Sequence, residues 1–296
     1  MPHRFSRVTR QWINRLYDRT VAILQYVDHG EGARYYLAGQ ACHEKGQHRL
    51  AIQYFDEALR SDSSYLSAYL LRGVSRLRLH QFEQALADFT QAIRLDPDEE
   101  KAYFQRALTH LRLGLPELAL NDLSEAIALN PDYGAAYANR AVAYLRSGQP
   151  EAALADFATA LQHQPQQARL YYGRAHAYLA LDREAEALAD LDHGIALHAQ
   201  DASLLRARGN LLRLRGEWSL AQRDLEQALQ LDDHAETYAA LAFLYIQRKE
   251  PAQALGLLDE ALTRGFRPWR PPHSQDPAWP MLQQIDFLIE LVEQHR

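Results

Sequence analysis

The sequence predicts an all-α solenoid of about seven antiparallel helical hairpins, with a capping helix at each end. Three observations predict this fold class. Residues of matching size recur every 34 positions along most of the 296-residue chain. Apolar residues within each period are three or four positions apart, which is the spacing of an amphipathic helix. Glycine and proline divide each period at fixed offsets, as expected for two helices joined by a short turn.

Small and large residues form separate ladders. One ladder of small residues is Gly39, Gly73, Ala107, Ala141, Ala175, Gly209 and, after a single 33-residue step, Ala242. One ladder of large residues is Phe55, Phe89, Leu123, Phe157, Leu191, Leu225 and Leu258. Small residues allow helix backbones to approach closely, and large side chains fill the space between them. Because one hairpin cannot bury its own apolar face, we expect the repeats to stack.

Glycine and proline mark the turn inside each hairpin. Glycine in a left-handed conformation is expected to close the first helix. The glycines at this position are Gly46, Gly114, Gly148 and Gly216. Proline is expected to open the second helix, where its missing N–H costs no hydrogen bond. The prolines at this position are Pro116, Pro150 and Pro251.

This pattern closely resembles the tetratricopeptide repeat family, in which each 34-residue unit has an aromatic at position 4 and small residues at 8, 20 and 27. Counted from Gly32, seven repeats cover residues 32–268. A basic segment at 1–31 precedes them, and a proline-rich connector with a last helix at 269–296 follows. The resemblance implies a right-handed superhelix whose first helices line a concave groove. It also implies a scaffold or assembly adaptor that binds a protein or peptide, rather than an enzyme.

The resemblance further implies which residues face a ligand, because positions 2, 5, 9, 12 and 13 of each first helix line the groove in this family. The peptide-binding residues predicted in repeats two to four are Leu70, Val74, Leu77, Arg78, Phe104, Leu108, Leu111, Arg112, Val142, Leu145 and Arg146. Those predicted in repeats five and six are Tyr172, His176, Leu179, Arg206 and Asn210. An apolar floor edged by arginines predicts a partner segment with apolar anchors and acidic flanks.

Other interpretations of this surface stay open. The position-12 leucines could pack mainly between repeats. The position-13 arginines lie in the last helical turn, where the helix dipole favours a positive charge without any ligand. The chain itself could fill the groove, which would leave the convex face or the termini for a partner. The carboxylate clamp of co-chaperone relatives is absent, because Ala240 stands where the motif begun by Arg206 and Asn210 needs asparagine.

Arginine at position 7 and aspartate at position 23 occur together. Five repeats have both residues, and the first and last repeats have neither. The arginines alone would suggest a basic track for phosphate or an acidic peptide. Their co-occurrence instead predicts an Arg–Asp pair between the two helices of a hairpin, because a partly buried charge needs a partner. The predicted pairs are Arg72–Asp88, Arg106–Asp122, Arg140–Asp156, Arg174–Asp190 and Arg208–Asp224.

The two ends each predict one amphipathic helix. Residues 6–28 carry arginines beside an apolar face that contains Trp12. This helix is interpreted as a cap on the first repeat, and the alternative is weak docking on an anionic membrane surface. A mitochondrial targeting helix is a third interpretation, against which Asp18 argues. The helix after the connector is interpreted as the C-terminal cap, and the connector, with Trp269 and Trp279, is a secondary binding candidate.

Composition limits the function classes. The formal charge of −6 argues against nucleic acid as a partner, and the single cysteine, Cys42, makes an internal disulfide impossible. No nucleotide-binding glycine motif, paired cysteines or histidines at metal-ligand spacing occur, so we expect no catalytic residues, no metal site and no cofactor. A cytoplasmic location is expected, with the cytoplasmic face of a membrane as the alternative. The sequence does not give the oligomeric state.

Overall fold

The computed structural model of the chain describes residues 30–266. This part of the chain contains fourteen α-helices and no strand. The predictions for residues 6–28 and 269–296 lie outside the described residues and stay predictions. Contacts divide the chain into two compact units, Met1–Gln149 and Pro150–Arg296, which are described separately below.

Unit 1 contains seven described helices. They are α1 (Gly30–Glu44), α2 (His48–Ser61), α3 (Leu66–Arg78), α4 (Phe82–Leu95), α5 (Glu100–Arg112), α6 (Pro116–Leu129) and α7 (Gly134–Arg146). The hairpins α1/α2, α3/α4 and α5/α6 pack internally, and each second helix packs on the next first helix. The first helices α1, α3, α5 and α7 also contact their neighbours in turn, so they share one continuous surface.

Unit 2 has the same construction. Its helices are α8 (Pro150–His163), α9 (Ala168–Leu179), α10 (Glu184–Leu197), α11 (Ala202–Leu214), α12 (Trp218–Leu231), α13 (Ala235–Gln247) and α14 (Pro251–Thr263). The hairpins α9/α10, α11/α12 and α13/α14 pack internally, and α11 also contacts α13. Both units therefore confirm the predicted all-α repeat architecture, in which a hairpin buries its apolar face against the next one.

The core of each hairpin is the contact between the two ladders. The large position-24 side chains are at most 1% exposed in all seven repeats. In repeat two a Cβ atom on Gly73 would lie 2.6 Å from a carbon of the Phe89 ring, which is too close for any side chain. Repeat three instead combines Ala107 and Leu123, both fully buried. In these two hairpins glycine thus faces the larger partner and alanine faces the smaller one.

The turns confirm the predicted glycine positions and add three that the sequence pattern missed. Gly114 ends its first helix with φ of 73°, and the other three predicted glycines also have positive φ. In repeats two, five and seven the same position holds His80, Asp182 and Lys249, with φ of 58°, 56° and 62°. The turn geometry is therefore uniform even where no glycine marks it, and a side chain adopts the left-handed conformation at a cost in energy.

Candidate functional site

The predicted peptide-binding residues all lie on first helices, and they form one set in each unit. The set on α3, α5 and α7, called the unit 1 face, is Leu70, Val74, Leu77, Arg78, Phe104, Leu108, Leu111, Arg112, Val142, Leu145 and Arg146. The set on α9 and α11, called the unit 2 face, is Tyr172, His176, Leu179, Arg206 and Asn210. The structure thus brings each set together on neighbouring helices of one unit.

The unit 1 face combines half-buried apolar residues with exposed arginines. Its half-buried members are Leu70, Val74, Leu77, Leu108, Val142 and Leu145. Arg78, Arg112 and Arg146 are exposed and stand at the same position of three successive first helices. None of these three arginines forms an ion pair with any residue between 30 and 266. The surface therefore has uncompensated positive charge along its apolar floor.

Two predicted members of the unit 1 face lie in the core instead of at its surface. Phe104 is 9% exposed and Leu111 is 8% exposed, and both belong to one buried cluster with Leu123. The Phe104 ring packs against Tyr133, with 4.8 Å between the ring centroids. Burial raises the pKa of Tyr133 to about 12, and Glu100 and Glu99 add to that effect. These two side chains pack between repeats. For Leu111 this agrees with the alternative interpretation of the position-12 leucines.

Arg146 has a structural contact as well as an exposed position. Its Nη1 atom donates a hydrogen bond to the carbonyl oxygen of Leu111, at 2.7 Å. That carbonyl belongs to the last turn of α5 and also accepts from the N–H of Gly114, at 3.3 Å. Arg146 therefore binds the C-terminal turn of the preceding first helix, whereas the helix-dipole interpretation concerned its own helix, α7. Arg78 and Arg112 have no such hydrogen bond among the described residues.

The unit 2 face is more polar. Tyr172 and His176 lie one helical turn apart on α9, with their ring centroids 4.5 Å apart in an edge-on arrangement. Arg206 and Asn210 lie one turn apart on α11, and both are partly buried. Leu179 packs with Tyr172 against the core of repeats five and six. This face can therefore contact a partner through hydrogen bonds and charge as well as through apolar side chains.

The pKa of His176 depends on burial and on the charge of the neighbouring helix. Its surroundings lower its pKa below the ordinary value of 6.5, first through desolvation by the protein atoms around it and then through the positive charge of Arg206. The side chain nevertheless remains exposed at its surface. A neutral imidazole can donate and accept one hydrogen bond each, so His176 offers both functions to a partner near neutral pH.

The position-7 arginines, called the arginine ladder, are structural in the four repeats whose Arg–Asp pair lies within one unit. Arg72, Arg106, Arg174 and Arg208 each donate from Nη2 to the aspartate 16 residues later, over 2.6 to 2.8 Å. All four aspartates are buried. The hydrogen bond to Asp122 raises the pKa of Arg106, so the guanidinium group stays charged. The predicted pairing of the two helices is confirmed here, and these guanidinium groups are engaged in the fold.

The same arginines make a second contact that the sequence pattern did not predict. Nη1 of Arg72 donates to Asp56 at 2.6 Å, and Nη1 of Arg208 donates to Asp192 at 2.7 Å. Thr90 and Ser124 accept from Arg106 and Arg140 in the same way. Each acceptor lies 16 residues before its arginine, on the second helix of the preceding repeat. This spacing is readable in the sequence, and it shows that the ladder joins repeats as well as helices.

Unit 2 also contains a pocket on the side of the second helices. It has a volume of about 470 Å³ and lies between α10 and α12. Leu188, Ile195 and Leu220 line it, and the Arg208–Asp224 pair forms part of its wall.

Within residues 30–266 no group of three histidine, cysteine or acidic side chains could hold a metal ion. No helix in that range has the length and hydropathy needed to cross a membrane.

Comparison with known proteins gives a family and a set of folds. Models of the tetratricopeptide repeat match residues 33–65, 70–134, 123–155 and 144–211. A search of curated proteins found no significant match. A tetratricopeptide repeat protein from Parabacteroides merdae superimposes with a TM-score of 0.69 at 19% identity, over 89% of this chain and 99% of its own. PilF of Pseudomonas aeruginosa gives a TM-score of 0.61 at 18% identity, over 76% of this chain and 98% of its own.

A third structure is YrrB, described as a tetratricopeptide repeat protein with an unusual peptide-binding site. It superimposes with a TM-score of 0.54 at 22% identity, over 63% of this chain and 97% of its own. At such identities the superpositions show the shared fold. The family matches, together with the hairpin geometry and the ladder positions, identify the class of scaffold, which is typically non-catalytic and binds proteins. The chain belongs to the tetratricopeptide repeat family.

Proposed function

We propose that this protein is an adaptor that binds a segment of a partner protein on its first-helix surfaces, and that the segment carries apolar anchors with acidic flanks. The observation that carries the proposal is the unit 1 face. Its half-buried leucines and valines give an apolar floor, and Arg78 and Arg112 add exposed charge without acidic partners among the described residues.

The contrast with the ladder arginines supports this assignment. Arg72 and Arg106 lie on the same helices, α3 and α5, and each is held by a buried aspartate. The arginines that join the two helices of a hairpin are therefore paired with aspartates, whereas Arg78 and Arg112 face solvent. Opposite charge on a partner would steer the encounter and fix the orientation of the bound segment. Apolar contact with the floor would supply most of the affinity.

Two charge-reversal variants of equal net charge test the surface. Arg78→Glu with Arg112→Glu changes the unit 1 face, and Arg49→Glu with Arg94→Glu changes exposed arginines on the second helices of the same unit. Proteins captured from the source cells by wild type should remain bound to the second variant and be lost from the first. Equal retention by both variants would move the binding site away from the unit 1 face.

A second variant tests the apolar floor. Leu108→Asp with Leu145→Asp should abolish capture of the same proteins, because two charges replace the apolar anchoring surface. Both leucines are half-buried, so urea unfolding followed by circular dichroism must accompany the binding measurement. Capture that persists in a folded double variant contradicts the proposal.

A further inference from the structure

Arg213 is a buried arginine that has no acidic partner among residues 30–266. It lies in the last turn of α11 on the same stripe as Arg206 and Asn210, and it is 8% exposed. Its Nη1 atom donates to Oε1 of Gln247 on α13, at 3.1 Å. Its guanidinium carbon lies 5.9 Å from the centroid of the Phe243 ring. No described residue accepts a hydrogen bond from its Nε atom, which is shielded from solvent.

The ladder arginines show how guanidinium groups are hydrogen-bonded elsewhere in this chain. In Arg106, Arg174 and Arg208 the Nε and Nη2 atoms together hold a carboxylate, and Nε donates over 2.7 to 2.9 Å. In Arg106 and Arg208, Nη1 also contacts a polar residue of a neighbouring repeat. Arg213 has the neighbouring-repeat contact through Nη1 but no carboxylate on its Nε–Nη2 edge. Two parallel hydrogen bonds to a carboxylate are the arrangement that this edge favours.

Three acids of repeats six and seven are engaged elsewhere. Glu217 lies 3.1 Å from Nε of Arg215, and Glu250 lies 2.9 Å from Nε of Arg248. Glu236 contacts His234. Desolvation by burial lowers the pKa of Arg213, so burial of the charged guanidinium has an electrostatic cost at this position. The helix dipole at the end of α11 offsets part of that cost.

We infer that Arg213 is a carboxylate-binding residue, and that an acidic side chain of a bound protein segment occupies its Nε–Nη2 edge. This inference deepens the proposed function, since the acid belongs to the partner segment. Gln247 is half-buried and contacts Nη1, not the Nε–Nη2 edge, so a carboxylate reaches that edge only when the arginine side chain turns outward from its buried position. Asn210, one turn earlier on α11, would donate to the same carboxylate, and Phe243 would cover the stem of the arginine.

The first experiment uses a probe that does not depend on the partner. N-acetyl-glutamate N-methylamide is titrated into the full chain while the arginine Nε–H signals are followed by NMR. The Arg213 signal should shift at lower probe concentration than that of exposed Arg112, and the matched glutamine probe should leave it unchanged. An Arg213 signal that does not move, or that moves no earlier than Arg112, overturns the inference.

The second experiment separates a binding residue from a structural one. Arg213→Met keeps an unbranched side chain against Phe243 and removes the charge, so the urea midpoint should shift upward. Arg106→Met, which removes the guanidinium partner of the buried Asp122, should shift the midpoint downward. The Arg213 variant should also bind the glutamate probe roughly tenfold more weakly. A downward shift for Arg213→Met like that of Arg106→Met would assign the residue to the fold and overturn the inference.

The outcomes for this inference and for the proposed function are distinguishable. A response of Arg213 to the glutamate probe supports the inference even if the Arg78 and Arg112 variants capture the same proteins as wild type. In that case the proposed unit 1 site fails and the carboxylate site stands. If the charge-reversal variants lose capture while Arg213 does not respond, the proposed function stands and the inference fails.

Discussion

Arg106 holds Asp122 through two parallel hydrogen bonds, from Nε to Oδ2 at 2.9 Å and from Nη2 to Oδ1 at 2.7 Å. The aspartate side chain is 7% exposed and the arginine side chain 23% exposed, so the pair is largely removed from water. The same guanidinium lies over the ring of Tyr103, 5.7 Å from its centroid. One residue of the repeat therefore links its own aromatic, the second helix of its hairpin and the preceding repeat.

Removing one partner of this pair should cost more than removing both. Arg106→Ala leaves the buried Asp122 carboxylate with only the His110 imidazole, 3.6 Å away, and we expect a loss of about 3 kcal/mol in the free energy of unfolding. Arg106→Leu with Asp122→Leu replaces both charges by apolar groups and should lose much less. Urea unfolding of the single and double variants measures both values. Equal losses would show that the pair is not the reason for the ladder.

The ladder can be extended at one position where its inter-repeat contact is missing. Arg174 holds Asp190, but the residue 16 positions before it is Ala158, which is exposed and offers no acceptor. Ala158→Asp should add the contact that Asp192 makes with Arg208 and raise the free energy of unfolding by about 0.5 kcal/mol. Ala155→Asp on the same helix is the control. A gain of equal size in the control would show a general charge effect.

Size matching between the two ladders predicts a compensating pair of changes. Gly73→Ala places a methyl group against the Phe89 ring and should lower the free energy of unfolding by about 2 kcal/mol. Gly73→Ala with Phe89→Leu reproduces the Ala107 and Leu123 combination of repeat three. We expect a favourable coupling energy of about 1 kcal/mol in the double-mutant cycle. Strict additivity of the two changes would contradict the size matching.

The pKa of the His176 imidazole should depend on the charge of Arg206. Arg206→Gln should raise the pKa of His176, and Arg206→Lys should leave it near its wild-type value, as measured by an NMR pH titration. Because the folded-state pKa is lowered, His176 contributes stability that is present above its ordinary value of 6.5. That contribution is lost as the pH falls toward the folded-state pKa. An unchanged pKa in the Arg206→Gln variant would place the cause in desolvation alone.

The fold and the Arg–Asp pairs could be predicted from the sequence because they repeat. A position that recurs seven times averages out local exceptions, so the hairpins and the pairs such as Arg72–Asp88 were readable. The turns at His80, Asp182 and Lys249 were not readable, since none of these residues requires a left-handed conformation. Uniform turn geometry in the stack imposed it instead, and tertiary packing overrode the local preference.

The candidate site could be predicted only in part. The register placed the predicted residues on first helices, but it did not distinguish open surface from floor. Phe104 and Leu111 are buried because Tyr133 and the next repeat pack over them, and that contact depends on side-chain size rather than position. The unpaired state of Arg213 was equally hidden, since it depends on where Gln247 and the neighbouring acids point.

Arg72, Arg106 and Arg208 each make their contacts at equal distances of 16 residues before and after their own positions. A block of 34 residues duplicated or deleted within a unit would therefore present the same offsets at its new junction. Buried charges would stay matched however many hairpins the chain contains. The length of such a protein can consequently change by recombination in whole blocks, with no compensating substitution at the join.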